Sequence, residues 1–453
     1  MNREELNSIL FDQQKDFERE NPTIDREMTE KAVKLLSLNM PIVITGVRRC
    51  GKSFLLKIIK DKLKLKEKEH FYLNFNDDRL IKFSLEDFQK IIDFLIEQGY
   101  KERSLLFIDE IQEVQGWEKW IDRIKDKYKI IITGSNSRLL SGEIATILTG
   151  RSIRLNLTPF NFREFLAANN VFLKNWRLDL KEQAIIRKQL GSYIEIGGIP
   201  KRVLTKQEIV IKDLYEDILY KDIIKRFGKL DRQIKEIAIF FFSNPSSLIS
   251  LRIISKMVQL KNITTIKSII ESFENSFLFF FVNKFDNSIK TQIQNPRKVY
   301  CIDNGFLTIM GFRLSEDKGK LLENLTAIEL KRREKETFYY SDKYECDFIL
   351  REGNKITEAI QVTYELNDKN REREMGGLLG ALDKFKLREG LILTYDSEDS
   401  FEEKGKKIKV IPIWKWLLNN EKNKKSNELK STIKEDIEWG LYGRKIFPKQ
   451  KPL

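Results

Sequence analysis

Ile42-Val43-Ile44-Thr45 followed by Gly46-Val47-Arg48-Arg49-Cys50-Gly51-Lys52-Ser53 is the stretch on which the rest of the 453-residue chain turns. Four β-branched residues predict a strand, and the apolar positions Phe54, Leu55, Ile58 and Ile59 predict an amphipathic helix after the loop. The loop between them fits Gly-x-x-x-x-Gly-Lys-[Ser/Thr]. Gly46 and Gly51 let the backbone turn tightly. The main-chain groups of Gly46, Val47, Arg48, Arg49, Cys50, Gly51, Lys52, Ser53 and Phe54 are then expected to wrap phosphate oxygens at a helix N-terminus. Lys52 adds a positive charge for the β/γ-phosphates, and the Ser53 hydroxyl suits Mg²⁺. A chance glycine-rich turn would have neither the strand before it nor the helix behind it.

A chain of this length predicts about three domains, at roughly 150 residues each. Its composition, 41% apolar and 33% charged, supports a folded core under a strongly charged surface. The net charge of +14 favours anionic partners, nucleic acid first, although a lysine-rich surface kept for solubility gives the same total. No run approaches the roughly 18 uninterrupted apolar residues of a membrane span, and residues 1–30 are too polar for a signal peptide. A cytoplasmic protein with no membrane partner is expected. Cys50, Cys301 and Cys346 are scattered, which argues against a disulfide framework or a cysteine metal site. The single histidine, His70, argues against histidine metal sites and a histidine-activated nucleophile.

From Met40 onward strand and helix patterns alternate, as in a parallel α/β sheet. The apolar run after Ser104 closes on Asp109-Glu110. An apolar strand ending in Asp places a carboxylate at the sheet's carboxyl edge, where Asp109 is expected to hold Mg²⁺ and Glu110 to polarise an attacking water. The next strand, Lys129 to Thr133, runs into Gly134-Ser135-Asn136-Ser137. Asn136 or Ser135 is placed to orient water beside the γ-phosphate; a plain polar turn is the alternative. A helix is expected over 137–148, ending at Thr149-Gly150-Arg151.

Six stretches in order carry a resemblance: "GVRRCGKS" at 46–53, "LNFNDDRL" at 73–80, "LLFIDEIQEVQGWEKWI" at 105–121, "IIITGSNSRLL" at 130–140, "LTGRSIRLNLTPFNFREFL" at 148–166 and "YIEIGGIP" at 193–200. They resemble the nucleotide domain and lid of the AAA-type ATPases of archaea and bacteria that carry a nuclease-like C-terminal domain of unknown function. The resemblance implies ATP and Mg²⁺ as cofactors and a homo-oligomer. It places Arg151 against a neighbouring subunit's γ-phosphate, and the Gly197-Gly198-Ile199-Pro200 turn beside the adenine. Asn283-Lys284-Phe285-Asp286 mimics a guanine-reading motif but lies outside the strand–helix array, so ATP is expected over GTP.

The expected fold class is therefore α/β: a P-loop parallel sheet with a helical lid, then a winged helix, then a restriction-endonuclease-like α/β domain. The boundaries are an N-terminal helical segment at 1–38, the ATPase domain at 39–168 and the lid at 169–230. The winged helix follows at 231–312, the nuclease-like domain at 313–418 and a basic tail at 419–453. Lys267, Lys284, Lys290, Arg297 and Lys298 are candidates for DNA phosphates; a packing or oligomerisation role for the winged helix is the alternative. In the nuclease-like part Glu323 and Asp347 fill two acidic places, but Gln361-Val362-Thr363 stands where Glu-x-Lys is needed. Amide and hydroxyl are poor substitutes for carboxylate and ammonium, so cleavage is not expected. Three functions are in view: an ATPase acting on or with DNA, a nucleotide-driven assembly switch, and an ATP-gated nuclease. The first is favoured.

Overall fold

The computed structural model describes residues 1–19, 24–135, 152–312 and 318–419. Asn136, Arg151, the helix expected over 137–148 and the basic tail from 420 onward lie outside the described residues. The amino-terminal half is built on a five-stranded sheet in the order β2-β3-β4-β1-β5: β1 Ile42–Thr45, β2 His70–Asn74, β3 Leu105–Asp109, β4 Lys129–Gly134 and β5 Ile153–Asn156. Every pairing in it is parallel. Both faces are covered, which is why the strands read as continuous apolar runs. Ile42, Ile44, Leu105 and Phe107 face one core, while Val43, Leu106 and Ile108 face the other.

Helix α1 (Arg3–Glu18) protects the open edge at β2. Gln14 both donates to the Tyr72 carbonyl and accepts from its N–H, and Gln13 does the same for Asn74. Two adjacent side-chain amides thus stand in for a missing neighbouring strand and satisfy an edge that would otherwise recruit another chain. Helix α2 (Glu27–Leu35) leads into β1, and α3 (Lys52–Leu63) follows the loop and buries Leu55, Leu56, Ile58 and Ile59.

The lid region is helical, with Leu180–Ile196, Pro200–Thr205 and Ile209–Asp217 in sequence. The last continues as a π-helical turn, Ile218–Ile223. Beyond it, helices Asp231–Ser243, Leu251–Met257 and Ile263–Asn275 precede the antiparallel pair β7 (Phe279–Lys284) and β8 (Arg297–Cys301). A short helix, Ile289–Gln294, occupies the connection that the sequence presents as a polar loop.

The carboxyl-terminal half contains β9 (Glu336–Ser341), β10 (Glu345–Glu352), β11 (Lys355–Val362), β12 (Glu389–Thr394), β13 (Asp399–Glu403) and β14 (Lys406–Pro412). These do not form a separate sheet. With the short β6 (Leu248–Ile249) they make one mixed, nine-stranded sheet, ordered β13-β14-β12-β11-β10-β9-β7-β8-β6. The join is a two-residue parallel register, Asn283 to Phe338 and Lys284 to Tyr339. The sheet therefore crosses the boundary expected at 312/313. Helix Lys318–Arg332 is buried from Leu322 to Leu330 without a break. Its polar residues are matched: Asn324 pairs with the N–H and the carbonyl of Cys301. No helix among the described residues is long and apolar enough to cross a membrane.

Candidate nucleotide site

The loop after β1 owes its shape to two glycines. A Cβ on Gly46 would sit 2.1 Å from the Leu157 carbonyl oxygen, so only glycine permits this approach to the end of β5. Gly51 has φ +100° at the start of α3, a region that excludes most side chains. Lys52 is buried, and its Nζ donates to the carbonyls of Gly46 at 3.1 Å and Val47 at 3.4 Å. It also stands 3.6 Å from Glu110 Oε1. Cys50 lies beneath the loop, fully buried, where burial pushes its thiol pKa up.

Asp109, at the end of β3, is buried and bonded on both oxygens. The Tyr72 hydroxyl donates to Oδ2 at 3.0 Å, and the Thr133 hydroxyl donates to Oδ1. The Ser53 hydroxyl acts on this carboxyl as well, working to lower its pKa. Burial, followed by the charge of Glu110, raises its pKa above the ordinary value. Glu110 is pulled the other way. Burial works to raise it, but the ammonium of Lys52, the amide of Gln112, the Arg48 guanidinium and the nearby Ser135 side chain together hold it below the usual range. Its backbone is left-handed, φ +53°, which is uncommon for a side chain of this size and typical of a functional position.

These groups meet at a cavity of about 520 Å³. Its lining includes the polar Arg26, Arg49, Lys52, Ser53, Glu110, Lys201 and Thr205, with Gly51, and the apolar Ile24, Ile58, Phe160, Pro200 and Leu204. Phe54 lines it as well. Of the residues singled out in the sequence, Arg49, Gly51, Lys52, Ser53, Phe54, Glu110 and Pro200 line the cavity; Asp109 does not, and sits next to Glu110 at the end of β3, bonded to Tyr72 and Thr133. Arg48 does not line the cavity; its guanidinium is forked to Asp222. Ser135 lies beside Glu110: its N–H donates to Glu110 Oε2 at 3.1 Å, and its hydroxyl is buried without a partner among the described residues. Gly197 and Gly198 serve packing; a Cβ on Gly198 would meet the Phe160 carbonyl oxygen at 2.2 Å, and one on Gly197 would meet Asp303.

Two participants have no signal in the sequence. Arg26, nearly fully buried, donates to the carbonyls of Cys50 at 2.9 Å and Thr158 at 2.7 Å and pairs with Glu164 at 3.1 Å, tying the loop to the segment after β5. Tyr72 is the other, held by its stack on Phe17 of α1 with ring centroids 4.2 Å apart.

A second cluster forms where the nine-stranded sheet meets helix Lys318–Arg332. Glu323 and Asp347 come together as the sequence anticipates, but a lysine stands between them. Lys298 Nζ is 2.9 Å from Glu323, 3.0 Å from Asp347 and 2.6 Å from Glu345, with its side chain 2% exposed. Lys298 is therefore not a surface contact for DNA phosphates, contrary to expectation; β8 points it inward across the join. Tyr300 donates to Glu323, and Gln361 accepts from the Asp347 N–H and donates to Glu374. Burial, then the charge of Asp347, pushes Glu323 up to about 7.

The sheet, the loop and the strand-end carboxylates define a P-loop nucleotide-binding protein of the AAA class. The AAA domain family matches residues 38–166, and a domain of unknown function (DUF8612) matches residues 187–318. The chain is 36% identical over 400 residues to MJ1544, an uncharacterized protein of Methanocaldococcus jannaschii, covering 83% of this chain and 88% of that one. An uncharacterized protein of Haemophilus influenzae is 31% identical over 397 residues, covering 83% and 94%. The chain belongs to the family of these archaeal and bacterial proteins. Among solved structures, the Aeropyrum pernix Orc1 protein in complex with DNA matches at 13% identity over 68% of this chain and 95% of that one. Its TM-score is 0.29, a likeness too loose to fix a substrate or a partner.

Proposed function

We propose that the chain binds and hydrolyses ATP, and the observation that carries this reading is the convergence of Lys52, Ser53 and Glu110 on one cavity, with Asp109 next to Glu110 at the end of β3. The loop amides and Lys52 hold the β- and γ-phosphates, and the base lies against Ile24, Phe160, Pro200 and Leu204. The Ser53 hydroxyl and the Asp109 carboxylate are a donor pair that suits Mg²⁺, with the remaining ligands from phosphate and water. When bound, Mg²⁺ neutralises charge between the β- and γ-phosphates. Glu110 orients a water and takes its proton as the new bond to phosphorus forms and the bond to the β-phosphate oxygen breaks, giving ADP and phosphate. Ser135 or Asn136 steadies the γ-phosphate, and Arg151 of one subunit completes the site of the next in a homo-oligomer. The test is turnover by purified protein with Mg²⁺ and its loss in Lys52→Ala; a wild type with no affinity for ATP would end this reading.

The work done by turnover is assigned to DNA. The net charge of +14 and the exposed Lys267 and Lys290 near the β7–β8 pair support a phosphate-binding face, with the helices and hairpin of 231–312 acting as a winged helix. DNA should raise the ATPase rate, and binding should weaken steeply between 50 and 200 mM salt. Salt-insensitive or absent binding favours the assembly switch, which predicts particle mass that depends on ATP. The carboxyl-terminal half is read as a restriction-endonuclease-like domain without cleavage activity. Lys298 supports that reading, because it places an ammonium between Glu323 and Asp347.

A further inference from the structure

The phosphate loop carries two consecutive arginines, and one short helical segment engages both. Arg48 closes a side-on fork with Asp222, Nε to Oδ2 at 2.6 Å and Nη2 to Oδ1 at 2.8 Å. Arg49 pairs with Asp217. The two aspartates are five residues apart, a step that in an α-helix turns side chains about 140° away from each other. Here the intervening Ile218–Ile223 is a π-helical turn, whose i to i+5 bonding brings residues five apart back towards one face. The irregular turn is thus what lines up two carboxylates against two adjacent arginines. Such turns are rare and recur at functional sites.

The Asp222 side chain is 7% exposed. Breaking a buried, bidentate pair is strongly unfavourable, so Arg48 stays pinned whether the cavity is empty or full. The fork uses one edge of the guanidinium and leaves Nη1 without a hydrogen-bond partner among the described residues. Arg48 is also near enough to Glu110 and Glu113 to feel their charges, and Glu110 stands beside Lys52. A fixed cation with an open donor edge therefore sits in the loop itself, on the Glu110 side.

We propose that Arg48 contacts the γ-phosphate in cis and that Asp222, presented by the π turn, is its positioning residue. The inference deepens the ATPase reading and rests on it. A planar donor fork neutralises charge spread over the transferring oxygens, and it costs nothing to reorganise because Asp222 already holds it.

The experiment uses the full chain and measures kcat together with affinities for ADP and for a non-hydrolysable imido analogue of ATP. Arg48→Gln should lower kcat about 100-fold, below the 10³–10⁵ of arginine supplied by a partner. It should weaken the analogue about tenfold and leave ADP within about twofold, as expected for a charge-assisted bond to the γ-phosphate alone. Asp222→Asn should shift the same quantities less, and Arg48→Lys should fall between. A fork that only shapes the loop would weaken ADP and the analogue alike, since both use the loop amides and Lys52; that result overturns the proposal. So does unchanged kcat in Arg48→Gln when the wild type hydrolyses ATP. A wild type that binds neither nucleotide overturns the ATPase reading and this inference together, a distinguishable result.

Discussion

Glu110 combines a left-handed backbone, a lysine at 3.6 Å and a bond from the Ser135 amide just past β4. Glu110→Gln should keep ATP binding and lose about 10²–10⁴-fold in turnover, measured as kcat at saturating ATP; an unchanged kcat removes it from the mechanism. Tyr72→Phe deletes the donor to Asp109 Oδ2 and should raise the Mg²⁺ concentration for half-maximal activity about tenfold, read from a metal titration. Gly198→Ala forces a methyl against the Phe160 carbonyl and should cost about 1–3 kcal/mol, visible as a lowered Tm. The loop and the Asp109-Glu110 pair were legible because each is contiguous in the chain. Arg26, Tyr72 and Asp222 were not, since they reach their partners across 24, 37 and 174 residues and sit in segments with no motif.

Among the elements, β1 to β4 follow directly from runs of β-branched and aromatic residues closed by turns. The fusion of β7 with β9 does not. It rests on two residue pairs, and the alternation that predicts each strand says nothing about which strands meet. Lys298 illustrates the cost of that gap: with β8 read as the surface of a separate unit, its ammonium belongs in solvent, whereas the join buries it among carboxylates. Lys298→Met should destabilise the protein by about 3–5 kcal/mol in denaturant unfolding, because Glu323 and Asp347 lose their cation while still buried. The pH dependence follows from Glu323, whose folded pKa is raised from 4.5 to about 7. Between those values the fold holds a proton that the unfolded chain has released, so this carboxyl's contribution falls as pH rises through the window. The deficit of Lys298→Met should accordingly be smaller at pH 5 than at pH 8.

On the scale of the whole molecule, the two sheets are bound together more tightly than a chain of separate modules would be. Arg332, on the helix beside the second sheet, donates to the Thr158 hydroxyl at 2.8 Å, and the Thr158 carbonyl accepts from Arg26, which in turn holds Cys50. A chain truncated after residue 312 would expose the edge of β7 and strip these contacts, and should elute as aggregate on gel filtration. A compact monomer of that fragment would show the halves to be independent. The lysine at 298 has one more consequence: a glutamate introduced at 361 would not by itself open a seat for a divalent ion, because that seat already has a resident tethered to another strand. Strand scission by that route would require changes at 298 and 363 as well.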